Sequence, residues 1–206
     1  DIRNARPKVA PDPKDRGDMK IPSLFVIASA LSIGIAYSRP EWSDFLLIAL
    51  PCLIASVILC VKAWRARARR KWIIIDGSNV MHWQDGTPNI KTVRDVVDHL
   101  RAHGYTPGVV FDANAGYLLI GRYQHDRALS AQLDLPVDRV MVVPKGTPAD
   151  PFILKAAKDY RGQIVSRDQF RDWAEAHPEV IEPGHLVKGG YRKGKLWLDL
   201  PQPATT

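Results

Sequence analysis

Four short apolar runs, WIII (72–75), GVVF (108–111), VMVV (140–143) and QIVS (163–166), punctuate the last two thirds of the chain, and the stretches between them carry helical periods. Short runs alternating with helical segments specify a parallel sheet flanked by helices. Between the first two runs, Val93, Val96, Val97 and Leu100 recur at i, i+3, i+4 and i+7, with Gly104 as a stop. This predicts an amphipathic crossover helix. A second helical zone is predicted over about 116–133, and a third opens at Asp150 with Pro151 at the favoured first position. A short fourth helix is predicted from Ser166, where Ser166 and Gln169 make a capping-box pattern.

The first third is built differently. Residues 1–71 hold 13 Lys+Arg against 6 Asp+Glu, whereas residues 72–206 hold 16 of each, so the net charge of +7 belongs to the first third. Two uncharged apolar stretches lie there, residues 21–38 (IPSLFVIASALSIGIAYS) and 45–61 (FLLIALPCLIASVILCV), each near the lower length limit for a bilayer span. Trp42 and Trp64 bracket the second like interfacial anchors. Six Lys/Arg precede the pair, six follow in KAWRARARRK (62–71), and one lies in the loop between. The positive-inside rule therefore predicts a transmembrane helical hairpin with both ends cytoplasmic. Read this way, the chain has a disordered tail (1–20), a hairpin (21–64), a basic juxtamembrane linker (65–71), a folded domain (72–200) and a short tail (201–206). The rival readings are two buried core helices, or a signal peptide starting at Met19. Both cysteines, Cys52 and Cys60, fall in the second stretch, which gives no disulfide framework and no Cys-based zinc site.

In open parallel sheets, ligands bind beyond the carboxyl ends of the strands. Asp76 follows WIII, Asp112 follows GVVF, Asp150 opens the helix after VMVV, and Asp168 follows QIVS with Asp172 one turn later. Carboxylates so gathered raise one another's pKa unless a cation sits among them, and a hard divalent ion such as Mg2+ or Mn2+ takes oxygen ligands. Asp76 would then end a buried strand in order to face a metal. Gly77, Ser78 and Asn79 supply a tight turn, a hydroxyl and an amide to hold its carboxylate. Each other acid has a plainer reading: Asp150 before Pro151 as a helix cap, Asp172 beside Arg171 as an exposed helix charge, and Asp112 in DANAGY as a turn or cap residue.

The motifs IIIDGSNV, ADPFILKAA and IVSRDQFRDW resemble the three acidic motifs of the NYN domain, a branch of the PIN-like ribonuclease superfamily, and most of all the Regnase-type endoribonucleases. The resemblance covers residues 71–176 and includes the intervals of eighteen residues from Asp150 to Asp168 and four from Asp168 to Asp172. It implies a PIN-like three-layer α/β sandwich with a central, mostly parallel sheet. It also implies a catalytic set of Asp76, Asp150, Asp168 and Asp172, with Mg2+ (or Mn2+) between the first three; Ser78, Asn79, Asp112 and Arg171 are the supporting candidates beside them. The family often has two adjacent acids where this chain reads Ala149-Asp150, and this chain has no CCCH zinc finger.

RNA needs local positive charge in a domain whose charges balance. Lys145 and the stretch VKGGYRKGKLWL (187–198) are the candidates. The latter reads as a β-hairpin offering Arg192, Lys193 and Lys195 to phosphates and Tyr191 and Trp197 to bases. Its plainer reading is a charged edge that discourages aggregation. The expectation is thus a multi-pass protein of a cell inner membrane whose cytoplasmic domain hydrolyses RNA, with RNA and membrane lipid as partners and room for a homo-oligomer. The alternative is a membrane-anchored RNA-binding or scaffold module with decayed catalysis. A Rossmann-like nucleotide binder is disfavoured, because no GxGxxG follows the first strand.

Overall fold

The computed structural model describes residues 13–38, 44, 46–68 and 70–201. The chain divides into two compact units, one within residues 11–70 and one built on residues 71–206.

The first unit is a pair of helices packed on each other, α1 (Pro13–Ser38) and α2 (Leu46–Ala68). The tail expected to be disordered over 1–20 is already helical from Pro13, and its first twelve residues lie outside the described ones. Likewise α2 runs to Ala68, into the stretch expected to be a linker. Trp42 and most of the intervening loop also lie outside the described residues. The expectation of two spanning helices is not met: among the described residues only Leu47–Arg65 is long and apolar enough to cross a membrane, with mean hydropathy 2.2. The apolar part of α1, Ser23–Ile35, falls short of the roughly 20 residues that a bilayer core requires.

The second unit carries the predicted sheet. Strand β1 (Lys71–Asp76) leads through one turn of helix, α3 (Gly77–Val80), to α4 (Ile90–Ala102) and β2 (Tyr105–Phe111). The chain continues through α5 (Ala115–Ile120), α6 (Asp126–Leu133), β3 (Val140–Val142), α7 (Asp150–Tyr160), β4 (Gln163–Val165) and β5 (Leu186–Val187). The five strands are parallel in the order β3-β2-β1-β4-β5. The chain builds outward from β1 to β3, then crosses back to place β4 on the other side of β1. The crevice at that reversal lies between the ends of β1 and β4.

Strand alternation divides the core between two faces. Ile73, Ile75, Val109, Phe111 and Val165 point to the face covered by α4 and α6, where Val93, Val96, Val97 and Leu100 are buried as predicted. Ile74, Val110 and Ile164 point to the opposite face, covered by Phe152, Ile153, Ala156 and Ala157 of α7. The predicted hairpin is present as β6 (Gly189–Arg192) and β7 (Lys195–Leu198), antiparallel and separate from the main sheet. Its two-residue turn has both Lys193 and Gly194 at positive φ.

Two helical expectations are corrected. The single zone over 116–133 is two helices, because Gly121 takes a left-handed conformation (φ 73°) that ends α5. No helix starts at Ser166. The chain there forms a loop ahead of a single 3-10 turn at Arg171–Trp173, because Phe170 takes a left-handed conformation (φ 48°) that a continuous helix does not admit.

Gly77 is required by a close approach. A Cβ at this position would lie within 2.8 Å of three carbons of the fully buried Phe111 ring. Gly77→Ala is therefore expected to destabilise the chain by about 1–3 kcal/mol through overpacking, read as a lower urea midpoint. Phe111→Leu should relieve part of that loss in the double variant, and additive effects would refute the clash.

Candidate functional site

The site is assembled by register. Ile75 pairs with Val165, so Asp76 and Ser166 are the next residues out on neighbouring strands at the reversal point. Phe111 pairs with Val142, and Asp112 comes one residue beyond β2. Period-two alternation places Asp76, Asp112 and Ser166 in step with Ile74, Val110 and Ile164, the face on which α7 lies. Asp150 is the first residue of α7.

Asp76 is 7% exposed, and both oxygens of its carboxylate are held. Oδ1 accepts from the Asn79 backbone N–H (3.0 Å), which caps α3, and Oδ2 accepts from the Ser166 hydroxyl (2.9 Å). Burial raises its pKa from an ordinary 3.8 to about 6; the two hydrogen bonds act against this, and the charges of Asp112 and Asp150 add to the rise. The same Ser166 oxygen accepts from the Asp168 N–H (3.0 Å), so one hydroxyl links the buried acid to the next acid along the chain.

Asp168 is exposed, and its Oδ1 accepts from the Phe170 N–H (3.0 Å), an Asx turn that orients the carboxylate. Phe170 itself is left-handed (φ 48°) yet 2% exposed, so burial of its ring in the α7 face holds the turn. Asp150 is half-buried. Its helix is capped by Ala149 with no side-chain bond, so the Asp150 carboxylate is not used as a cap and instead accepts from Trp173 Nε1 (3.2 Å). Burial raises the Asp150 pKa, the Trp173 bond lowers it, and Asp168, Asp112 and Asp172 raise it further.

Asp76, Asp112, Asp150, Asp168 and Asp172 thus form one electrostatic group. None of the causes acting on Asp76 or Asp150 is a positive charge. Among the described residues no three His, Cys, Asp or Glu side chains are grouped tightly enough to hold an ion as they stand. The donor chemistry nevertheless fits a hard divalent cation: carboxylate oxygens from separate elements, one of them buried with its charge opposed by burial and by like charges.

The supporting residues take different positions. Ser78 Oγ accepts from the Asp112 N–H (2.8 Å) and ties β2's end to β1's. Asn79 Oδ1 accepts from Trp83 Nε1 (2.8 Å) and from the Arg167 N–H (3.1 Å). Arg171 is exposed and donates to Gln169 Oε1 (2.8 Å). Arg192, Lys193 and Lys195 are exposed on the hairpin, with the Arg192 guanidinium 4.5 Å from the Trp197 ring centroid. Tyr191 is not an outward base platform, because its ring packs on the core and its hydroxyl donates to Asp95 Oδ2 (3.0 Å). Lys145 is exposed on the loop before α7, beside Asp112.

Sequence reasoning missed Arg167. Its guanidinium lies 5.1 Å from the Trp83 ring centroid, and its Nε donates to the Gly189 carbonyl (3.0 Å), joining the end of β4 to the base of the hairpin. Its signal in the sequence was its place between Ser166 and Asp168, the two residues that must be held in register.

A doubly wound parallel sheet with carboxylates at its reversal point defines an α/β domain with an acidic edge. The model of the Zc3h12a-like ribonuclease NYN domain family matches residues 69–188, more than half of the chain. The protein belongs to this family. No curated protein gives a significant match. Among solved structures, nuclear proteinaceous RNase P 2 (PRORP2) from A. thaliana matches at 18% identity and TM-score 0.52, covering 89% of this chain and 37% of that one. A second structure of Arabidopsis thaliana nuclear protein-only RNase P 2 matches at 19% identity and TM-score 0.48, with the same coverages. This chain therefore spans little more than a third of those proteins, and the likeness is one of fold.

A raised carboxyl pKa destabilises the folded protein above its unfolded value. Between pH 3.8 and about 6 the unfolded chain loses the Asp76 proton while the folded chain keeps it, so this group's contribution falls as pH rises through that window. The full cost is on the order of 3 kcal/mol above pH 6. Asp76→Asn keeps the acceptor for Asn79 and should stabilise the metal-free chain by about 1–3 kcal/mol at pH 7.5 and by little at pH 4. Urea unfolding in chelator at both pH values measures this, and a pH-independent change would contradict it.

Proposed function

We propose that the chain is a divalent-metal-dependent endoribonuclease. The observation that carries the reading is the gathering of Asp76, Asp112, Asp150 and Asp168 in one electrostatic group at the reversal point of a ribonuclease-family fold. In this reading Asp76, Asp150 and Asp168 hold Mg2+ or Mn2+, and Asp172 assists from the rim. The metal would supply Lewis-acid activation of water and of the scissile phosphodiester, leaving a 5′-phosphate. The chain's own residues perform the rest. Asn79 and Ser166 fix both Asp76 oxygens, Trp173 aims Asp150, and the Phe170 N–H orients Asp168. Arg192, Lys193, Lys195 and Lys145 offset the phosphate charge that five aspartates would otherwise repel.

A second reading, an RNA-binding module without cleavage, is favoured by Ala149. This residue is 4% exposed in the core under α7, where the family often has a second acid. Incubating the purified full chain with single-stranded RNA and Mg2+ or Mn2+ separates the two. The nuclease reading expects cleavage, its loss in both Asp76→Asn and Asp168→Asn, and retained folding. Wild-type rates in both variants would sink the assignment, and RNA binding without cleavage at any metal concentration would establish the module. In either case, replacing Arg192, Lys193 and Lys195 with Ala should reduce the salt dependence of RNA binding by about two logarithmic units of slope.

We also propose that the helical unit tethers this domain to a membrane. The support is an inverted burial pattern: small residues Ser29, Ala49 and Ser56 are buried, while Leu24, Leu47 and Ile48 are 70%, 78% and 67% exposed. Helices associating in lipid meet through small residues and leave large apolar ones to the hydrocarbon. On this proposal the domain faces the cytoplasm of a cell inner membrane. A reporter fused after Lys71 should score cytoplasmic, and the chain should resist carbonate extraction. Quantitative release by carbonate would overturn the tether.

A further inference from the structure

A cavity of about 620 Å3 lies beside the acidic edge. It is walled by the end of β2, by α5 and the loop after it, and by the loop between β3 and α7, with Asp112, Asn114, Tyr117, Tyr123, Lys145 and Thr147 among its lining residues. Asp112 belongs to both places, since it lines the cavity and its charge reaches Asp76 and Asp150. The volume is in the range of pockets that enclose one small organic group.

Three features narrow what that group is. Tyr117 and Tyr123 are 58% and 54% exposed, two large aromatic side chains left in water on the lining of one concavity. The polar lining offers an amide (Asn114), a hydroxyl (Thr147) and one cation (Lys145), enough for the edge of a heterocycle and a single phosphate. The acidic rim opposes a free polyanion such as a nucleoside triphosphate, whose several charges one lysine does not balance. An unpaired base carried in a strand, with one phosphate per residue, meets all three conditions.

The walls are also set before any ligand arrives. Gly116 lies so close to the backbone of Arg122 and Gln124 that a Cβ there would run into both. Gln124 is buried, and its Oε1 accepts from Gln132 Nε2 (3.2 Å) on α6. The helix bearing Tyr117 is thereby pressed against the loop bearing Tyr123, and that loop is pinned to the next helix. Stacking on such a surface loses little conformational freedom.

We propose that this cavity is a nucleobase subsite that receives one unpaired base of the RNA beside the bond to be cut, stacked on Tyr117 or Tyr123, with Lys145 on the adjoining phosphate. This rests on the ribonuclease reading above and adds to it which part of the strand the chain grips. It also requires the substrate to be single-stranded at the cleavage point, since a paired base cannot enter.

The test is an abasic scan. A labelled single-stranded 12-mer RNA is bound to the full chain with Ca2+ in place of Mg2+, and one abasic residue is moved along the strand. In the wild type the affinity should drop about tenfold when the abasic residue occupies one particular position, and that position should adjoin the bond cut when Mg2+ is supplied. Tyr117→Ala combined with Tyr123→Ala should lower affinity for the intact strand about tenfold and flatten the scan. Tyr117→Phe with Tyr123→Phe should keep both the affinity and the peak, because the rings remain. A flat scan in the wild type, or an unchanged peak in the double alanine variant, would overturn the subsite while leaving RNA binding in place. Failure of the wild type to bind RNA with either metal would overturn the ribonuclease reading as well. Unchanged melting of the double alanine variant excludes loss of fold as the cause of a flattened scan.

Discussion

The structure of the sheet domain depends on where one carboxylate is put. Asp76 ends the central strand with both neighbours in place, so it is surrounded on both sides by backbone and covered by α7. A charge there is opposed by burial, and two hydrogen bonds do not fully offset it. The rest of the edge is arranged around that cost. The Asn79 N–H comes from a helix that must start at once, which is why Gly77 is pressed on Phe111. The Ser166 hydroxyl comes from the end of the neighbouring strand in register and closes off the second oxygen of the same carboxylate. A carboxylate held in this state gains most from whatever cation approaches it, and strain kept at a site is a common feature of function.

The site has a buried half and an exposed half. Asp76 is fixed by strand ends and has little freedom, whereas Asp168 sits on an exposed turn held by one N–H and by the buried Phe170 ring. Ser166 joins the halves by donating to one acid and accepting from the backbone of the other. Asn79 repeats the device one residue further out, since its backbone serves Asp76 while its side chain accepts from Arg167 and Trp83. Through Arg167 the same network reaches Gly189 at the base of the basic hairpin. The surface that carries Arg192, Lys193 and Lys195 is therefore connected to the acidic edge by defined bonds.

The sheet was legible because its strands are local: each short run rich in β-branched residues between helical periods needs no distant information, and Val93, Val96, Val97 and Leu100 identify the covering helix by spacing alone. The aspartates were legible because they follow those runs directly. What the sequence hid is set by distant partners. Ser166 and Gln169 satisfy the capping pattern as written, and only the pairing of β4 with β1 shows that the hydroxyl faces Asp76, ninety residues away. Tyr191 reads as an outward aromatic until Asp95 is seen beside it. Arg167 has no periodicity to announce it.

The division of polarity between the two units bears on how they can act together. The helical unit exposes large apolar side chains and buries small ones, while the sheet domain buries most of its isoleucines and valines and shows charge. The first arrangement is stable only where something apolar covers it, and the second only in water. The proposed membrane tether would supply the apolar cover to the first and leave the second in water. The six Lys/Arg of residues 62–71 lie at the junction, and they are of the sign that an anionic lipid surface attracts. On the proposed ribonuclease reading the same sign attracts RNA phosphates, so a strand and an anionic lipid surface would compete for these six charges.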